Sequence, residues 1–468
     1  MTDVLIFLPL AAAVAIAVVP LDHRSTAWLG MLAALAEVAA AAVAVVRFHV
    51  GGGMQFVTDR SWISDFGLGA AVRYHVGIDG VSLFMVALAA VGVAAALAAG
   101  LLAGRERLRA YVALMLLLEA ALVLLFTAQD MVLFYVGWET MMIPLYVLMG
   151  VWGGAGRRFA TLQFVIYTFV GSLLMLVAIA TLGVRYHTFE VNQIQSGSVW
   201  LFLAFAAAFC IKAPLFPLHG WLPAAYRESS IEVTALLSGV VSKAGAYGLI
   251  RFCRPMFPGP AYDWRWLFLG LGLAGLIYGS LIAFRQDDAR GVVAYSSLGQ
   301  LNLIIIGIFA FDPNGLTGAI FQMVNHGVVS LAAFLLIGVV EMRVGSDLFR
   351  YLGGLANGRP VASTVFLVTA LFALAVPGSS MFVSELYILI GAFQRNAWLG
   401  AVAAIGIVLA AMYMLRWYSA IAQQSDGERV SEALPDLRPR ELAIAVPLIL
   451  LLFAMTAWPN GVMERLVS

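Results

Sequence analysis

Lysine is almost missing from this chain. Of 27 basic residues in 468, only Lys212 and Lys243 are lysines, and charged residues of all kinds reach only 11% against 62% hydrophobic. A soluble domain carries about 25% charged and roughly 45–50% apolar residues, so a globular core cannot hide this much apolar surface, whereas a bilayer can. Cysteine is nearly absent too. Cys210 and Cys253 lie in or at the end of apolar runs, with no CxxC and no Cys/His cluster, which leaves no iron–sulfur, zinc or c-type haem motif. There is no GxGxxG or Walker-type loop to cradle a nucleotide. The formal net charge of +1 gives no reason to expect nucleic acid. No cofactor and no metal is therefore expected in this chain.

Long apolar runs are what the chain does have. A helix needs about 20 mostly apolar residues to cross the hydrocarbon core. Fourteen candidate spans lie near 3–20, 26–46, 80–103, 110–127, 130–151, 161–183, 199–223, 230–252, 265–284, 292–311, 316–341, 361–394, 398–421 and 441–458. The fold class is thus an all-α polytopic membrane protein. The first run lacks a basic leader and a small-x-small cleavage site, and reads as a retained helix. Sixteen arginines fall in the odd-numbered loops and nine in the even-numbered loops and C-terminus. The positive-inside rule then places the odd loops in the cytoplasm and both termini outside.

Both lysines sit near the middle of apolar spans, in AFCIKAPLF and GVVSKAGAY. Arginine stays charged at any accessible pH, whereas a buried lysine can load and release a proton. A charge at mid-membrane costs about 2.5–3.5 kcal/mol on the insertion scale, so each needs a partner or water. Glu139, mid-span in VLFYVGWETMMIPLYVL, is the natural counter-ion, and a Glu–Lys pair of variable distance acts as a switch. Glu119 in LMLLLEAALVLLF reads as a second carboxylate relaying protons towards a neighbouring subunit, and Glu385 in SSMFVSELYILI as a proton terminal. Glu232 sits at a helix start, where a carboxylate simply favours the dipole. His219, seven residues after Lys212, and His326 in FQMVNHGVVS are candidate proton carriers, since histidine hands protons both ways near neutral pH. His23, His49, His75 and His187 are expected in loops and carry no assignment.

Two spans are interrupted, at Pro214 and Pro217 in CIKAPLFPLHGWLP and at Pro377-Gly378 in ALAVPGSSMFVSEL. Proline removes a donor and clashes with the preceding turn, and irregular backbone in lipid is tolerated only where it is buried or lines water. Each break falls in the fourth of five consecutive spans. That spacing suggests two inverted five-helix repeats around a mid-membrane path. The division is residues 1–104 for the first three helices, 105–260 and 261–421 for the repeats, and 422–468 for the last helix.

The motifs between Tyr74 and about Glu385 resemble the antiporter-like membrane subunits of respiratory complex I (NADH-quinone oxidoreductase), and the subunit M family in particular. They are YHVGIDGVSLF, FYVGWETMMIPLYVLMG, IYTFVGSLLML, FCIKAPLFPLHGWLP, GVVSKAGAYGLIR, AYSS and QMVNHG. In that resemblance Glu139, Lys212, His219 and Lys243 match family positions, and Glu385 stands where subunit M has Glu and the sister L and N types usually have Lys. The chain departs at WLPAAY, with Ala224 and Tyr226 where the family often has Asp and His, and at Gln300, where it often has His. The resemblance implies proton translocation through two half-channels, L- and N-type membrane partners, and FMN, iron–sulfur clusters and quinone in other subunits. It also implies a bacterial inner membrane. With Gln300 in place, the central relay is expected to rest on Lys243, His326 and water. Two alternatives share the lysines: a multisubunit Na⁺/H⁺ antiporter and the membrane subunit of a hydrogenase-type complex.

Overall fold

Residues 1–64, 69–425, 427–430 and 434–466 are described by a computed structural model. The first helices are α1 (Thr2–Val18) and α2 (His23–Arg47), followed by an antiparallel hairpin of β1 (Gln55–Ile63) and β2 (Val72–Ile78). Next come α3 (Gly80–Leu102), α4 (Leu108–Thr127), α5 (Met131–Trp152), α6 (Arg157–Tyr186), α7 (Val199–Lys212) and the short α8 (Leu222–Glu228). The helices α9 (Ile231–Leu236), α10 (Lys243–Gly248) and α11 (Arg254–Met256) form one rod, interrupted by π turns at Leu237–Val241 and Leu249–Cys253. Then follow α12 (Pro258–Asp263), α13 (Arg265–Arg285), α14 (Ala289–Phe309), α15 (Pro313–Val344), α16 (Phe349–Leu352), α17 (Pro360–Ala373), α18 (Ser380–Arg395) and α19 (Ala397–Tyr418). The chain closes with α20 (Pro439–Ala457) and α21 (Pro459–Leu466).

Eleven of these helical stretches, among the described residues, are long and apolar enough to cross a membrane. Shorter apolar helices lie at Thr2–Val18, Val199–Lys212 and Pro360–Ala373. Helix starts are marked in the sequence by short polar residues. Asp22, Asp79, Asp130, Ser198, Asp288, Asp312 and Ser379 each accept a hydrogen bond from a backbone N–H of the helix they open.

Burial separates the centre from the rim. The apolar window of α15 is wholly buried and those of α14 and the Ile231–Met256 rod are 94% buried, whereas α2 and α20 are 33% buried. A helix that is apolar all round belongs in the middle, and a half-buried one faces lipid or a neighbour. The three central elements therefore carry Lys243, Gln300 and His326 in the middle of the bundle.

Both interrupted spans are broken where the prolines fall. The first stops at Lys212 itself, turns through residues 213–221 with a cis Phe216–Pro217 bond, and resumes as α8. The second stops at Ala373 and resumes at Ser380, with Gly378 at φ +95°, a conformation that glycine tolerates and a side chain does not.

The hairpin is an addition to the all-helical expectation. Its strands, QFVTDRSWI and VRYHVGI, are rich in aromatic and β-branched residues, but they are short and lie outside any apolar run. Thr2 Oγ1 donates to Phe56 O at 2.7 Å and Asp3 accepts from Thr58 and Tyr74 at 3.0 Å each, which ties the hairpin to the start of α1. His75, expected in a loop, lies on β2 with Nδ1 2.6 Å from Glu190 Oε2. His23, also expected in a loop, is the first residue of α2.

Candidate functional site

Lys212 is the last residue of α7, fully buried where the break begins. Its ammonium lies 4.8 Å from the ring centre of Phe164, 5.7 Å from that of Trp138 and 3.3 Å from Met142 Sδ. Trp138 and Met142 are four residues apart on α5 and so share a face. A desolvated cation over an aromatic face gains about 2 kcal/mol, which offsets a good part of what a charge costs at mid-membrane. Glu139 stands beside this cage and acts on Lys212 electrostatically, but among the described residues no ion pair within 4.0 Å joins them. The pair is open in this structure. Glu139 is half-buried and lines an outward-facing cavity of about 240 Å³ with Met142, Ile143, Tyr146, Phe169 and Ser172.

Lys243 opens α10 just after the first π turn, a feature frequent at functional sites. Its ammonium donates to the carbonyl of Ser238 and lies 2.9 Å from His326 Nδ1. A charged Lys243 donates to Nδ1, so Nε2 carries the ring proton and donates to Ser330 Oγ at 3.2 Å. Three hydroxyls continue from there. Ser330 lies 3.4 Å from Ser297 and 3.2 Å from Ser238, and Ser238 lies 2.8 Å from Ser297. Gln322, His326 and Ser330 follow at four-residue spacing along α15, which sets all three on one stripe.

An internal cavity of about 10 Å³ lies between Ser296, Ser297, Gln300, His326 and Ser330. That is about the space of one water sphere, and the lining is polar enough to hold it. Beyond the cavity, Gln300 Nε2 donates to Glu385 Oε1 at 2.9 Å and Gln300 Oε1 accepts from Gln322 Nε2 at 2.7 Å. Ser384 donates to Gln322 Oε1 and receives Asn325 Nδ2 at 3.2 Å. Glu385 is 2% exposed, and its Oε2 has no hydrogen-bond partner. Lys243 and His326 with the serines, and Glu385 with Gln300 and Gln322, thus form two hydrogen-bonded groups that meet at this cavity, with Gln300 where the resembling family often has His.

The other candidates lie elsewhere. His219 sits in the break after α7, its ring 5.5 Å from Phe216 and 5.1 Å from Tyr278, with Nδ1 unpartnered. Glu119 is fully buried in α4, apart from the lysine line. Glu232 is bound by Arg105 at 2.8 Å, a structural ion pair as its place at a helix start suggested. Sequence reasoning passed over Ser238, Ser297, Ser330 and Gln322, because single hydroxyls and amides in apolar helices give no signal of their own. It also passed over Glu37, which stands mid-span in α2 and meets the same criterion that singled out Glu119.

Fold and site together define a polytopic helical membrane protein with a chain of protonatable and hydrogen-bonding groups across its middle. Residues 128–410 match the family described as NADH:quinone oxidoreductase/Mrp antiporter, TM, and the chain belongs to that family. It is 34% identical over 490 residues to the NADH-quinone oxidoreductase subunit M of Rhodobacter capsulatus, covering 99% of this chain and 94% of that one. It is 35% identical over 512 residues to the subunit M of Mycobacterium tuberculosis, covering 99% and 92%. Its structure is similar to a chain of respiratory complex I from Thermus thermophilus with bound NADH, at TM-score 0.90 and 28% identity over 100% of this chain and 98% of that chain. A chain of the Mrp complex from a Dietzia species shares the fold, at TM-score 0.87 and 23% identity over 99% and 95%.

Proposed function

We propose that this chain is the M-type, proton-translocating membrane-arm subunit of an NADH:quinone oxidoreductase. The observation that carries the reading is the buried line from Lys243 through His326 and the serine cluster to Gln300 and Glu385. A proton enters from the cytoplasm through the first half-channel to Lys243, with Lys212 poised by Glu139. It crosses by His326, the hydroxyls and a water to Glu385, and leaves on the outer side. Charge on Glu139 keeps Lys212 protonated when the two approach, and separation lets it discharge. His219, in the break beside Lys212, serves the entry side.

The two five-helix sets, at 105–260 and 261–421, are inverted repeats, each supplying one half-channel. Residues 1–104 and 422–468 flank them. The chain lies in a bacterial inner membrane with both termini outside, beside L- and N-type subunits. It carries no redox group; FMN, iron–sulfur clusters and quinone belong to partners, so it acts in an enzyme without redox chemistry of its own. Gentle purification of the tagged chain from native membranes, with mass spectrometry of the eluate, tests this. NADH-binding and iron–sulfur subunits are expected; small membrane subunits alone would assign it instead to an antiporter, and a nickel–iron subunit to a hydrogenase-type complex.

A further inference from the structure

Two carboxylates outside the lysine line stand in the middle of two packed helices. Glu37 stands midway along α2 and Glu119 midway along α4; neither has exposed surface, and among the described residues all four carboxylate oxygens lack a hydrogen-bond partner. The helices run the same way. Arg109 at the start of α4 donates to Ala17 O at the end of α1, just before α2 begins, and Ala128 at the other end of α4 bridges to Val76 of the hairpin that follows α2.

The helices also touch in register. A Cβ on Gly30 of α2 would come 2.3 Å from Val112 Cγ1 of α4. Seven residues on is close to two turns along each helix, and lands on Glu37 and Glu119. Glu37 and Glu119 thus stand at the same level of the two helices.

Few other charged or titratable groups surround the pair: α10, which packs against α4, carries Lys243 and Tyr247, and β2 carries Arg73, Tyr74 and His75. α1 and α3 pack around it and bring no titratable side chain beyond Asp3 in the first turn of α1. α2 has His23, Arg24 and Arg47 at its ends, and α4 has Arg109 and Tyr111 in its first turns. α5 contributes Tyr135, Glu139 and Tyr146, and Glu139 and Tyr146 line the outward cavity. Two unpaired carboxylates at one level of an apolar helix pair disfavour double ionisation, and one proton held between the two sites relieves the conflict.

An open cavity lies on the same face of α2 as Glu37. Thr26, Gly30, Ala33 and Glu37 lie on one face of α2. Thr26, buried and with an unpartnered hydroxyl, lines an open cavity of about 590 Å³ beside His23, Arg107 and Arg109.

We propose that Glu37 and Glu119 form a second proton-binding site, a carboxylate pair that holds one exchangeable proton and loads from the Thr26 side. The test is an infrared titration of the full chain in its native complex, reconstituted in liposomes, across about pH 5 to 9. A D₂O-sensitive carboxylic C=O band should titrate. Glu37→Gln and Glu119→Gln should each move the midpoint of the remaining carboxyl by about one pH unit, tenfold in proton concentration. Glu37→Asp, which keeps the charge, should preserve the coupling and so separate it from a packing fault. A wild-type chain with no titrating band, or single variants that leave the other midpoint in place, would overturn the proposal. The readout is the carboxyl groups themselves, so it stands or falls separately from the lysine line.

Discussion

At the residue scale, amides and hydroxyls matter as much as charges. Gln300 stands between the small cavity and Glu385, donating to Glu385 and accepting from Gln322. An amide orients but does not carry a proton at ordinary pH, so the hop past it falls to Ser297 and the water-sized cavity. Gln300→Leu would strip Glu385 of its donor and leave the Gln322 amide unsatisfied, a loss of about 1–3 kcal/mol. Proton flux in reconstituted vesicles should fall sharply in Gln300→Leu and persist in Gln300→His, which puts a titratable ring at the same point. The titratable members of the line were legible in the sequence, because Lys243, His326 and Glu385 interrupt apolar runs. Their serine neighbours and Gln322 were not, since which polar side chains face one another depends on how α14, α15 and the rod pack.

At the element scale, breaks and close approaches position these residues. Both helix breaks could be read from proline, and their ends fall where the proline rule sets them. The π turns could not, because nothing local in LSGVV or LIRFC distinguishes them from α-helix. The rod approaches α7 closely at Gly245, where an added Cβ would come 2.3 Å from Phe209 O and 2.5 Å from Ala213 N. Both are backbone atoms and cannot turn aside, so Gly245→Ala should destabilise the chain by about 1–3 kcal/mol. Gly270→Ala, with nothing within 4 Å, should leave thermal unfolding unchanged.

A second element-scale feature is the anchoring of α17. Asp436, on the segment before α20, accepts from Val361 N at 2.9 Å and Ala362 N at 2.8 Å in the first turn of α17. Its partial burial pushes its pKa up, but these donors and Leu437 N outweigh that and hold the carboxyl below its ordinary value of 3.8. A depressed carboxyl stabilises the fold above its unfolded value, and the benefit is lost as pH falls below about 4 through the folded value. Asp436→Asn keeps one acceptor but loses the charge and the second acceptor, so it should lower Tm at neutral pH, by less than the ~0.5–2 kcal/mol of a cap replaced by Ala. The gap from wild type should close in acid.

At the scale of the whole molecule, an apolar rim encloses a polar, connected middle. α15 lies wholly inside and carries His326, while α14 and the rod beside it carry Gln300 and Lys243. Such an interior exacts a desolvation cost that packing alone does not require, which points to transport rather than support. Composition alone established the membrane class. The hairpin at 55–78 was not legible, because β1 buries little and the strands take their place from the start of α1 and the end of α4. The most direct measurement is protons moved per electron in inverted native-membrane vesicles, comparing wild type with Lys243→Met. If Lys243 begins the line to Glu385, the ratio falls while NADH oxidation by the redox subunits persists. An unchanged ratio in a fully assembled Lys243→Met complex would contradict the proposed line.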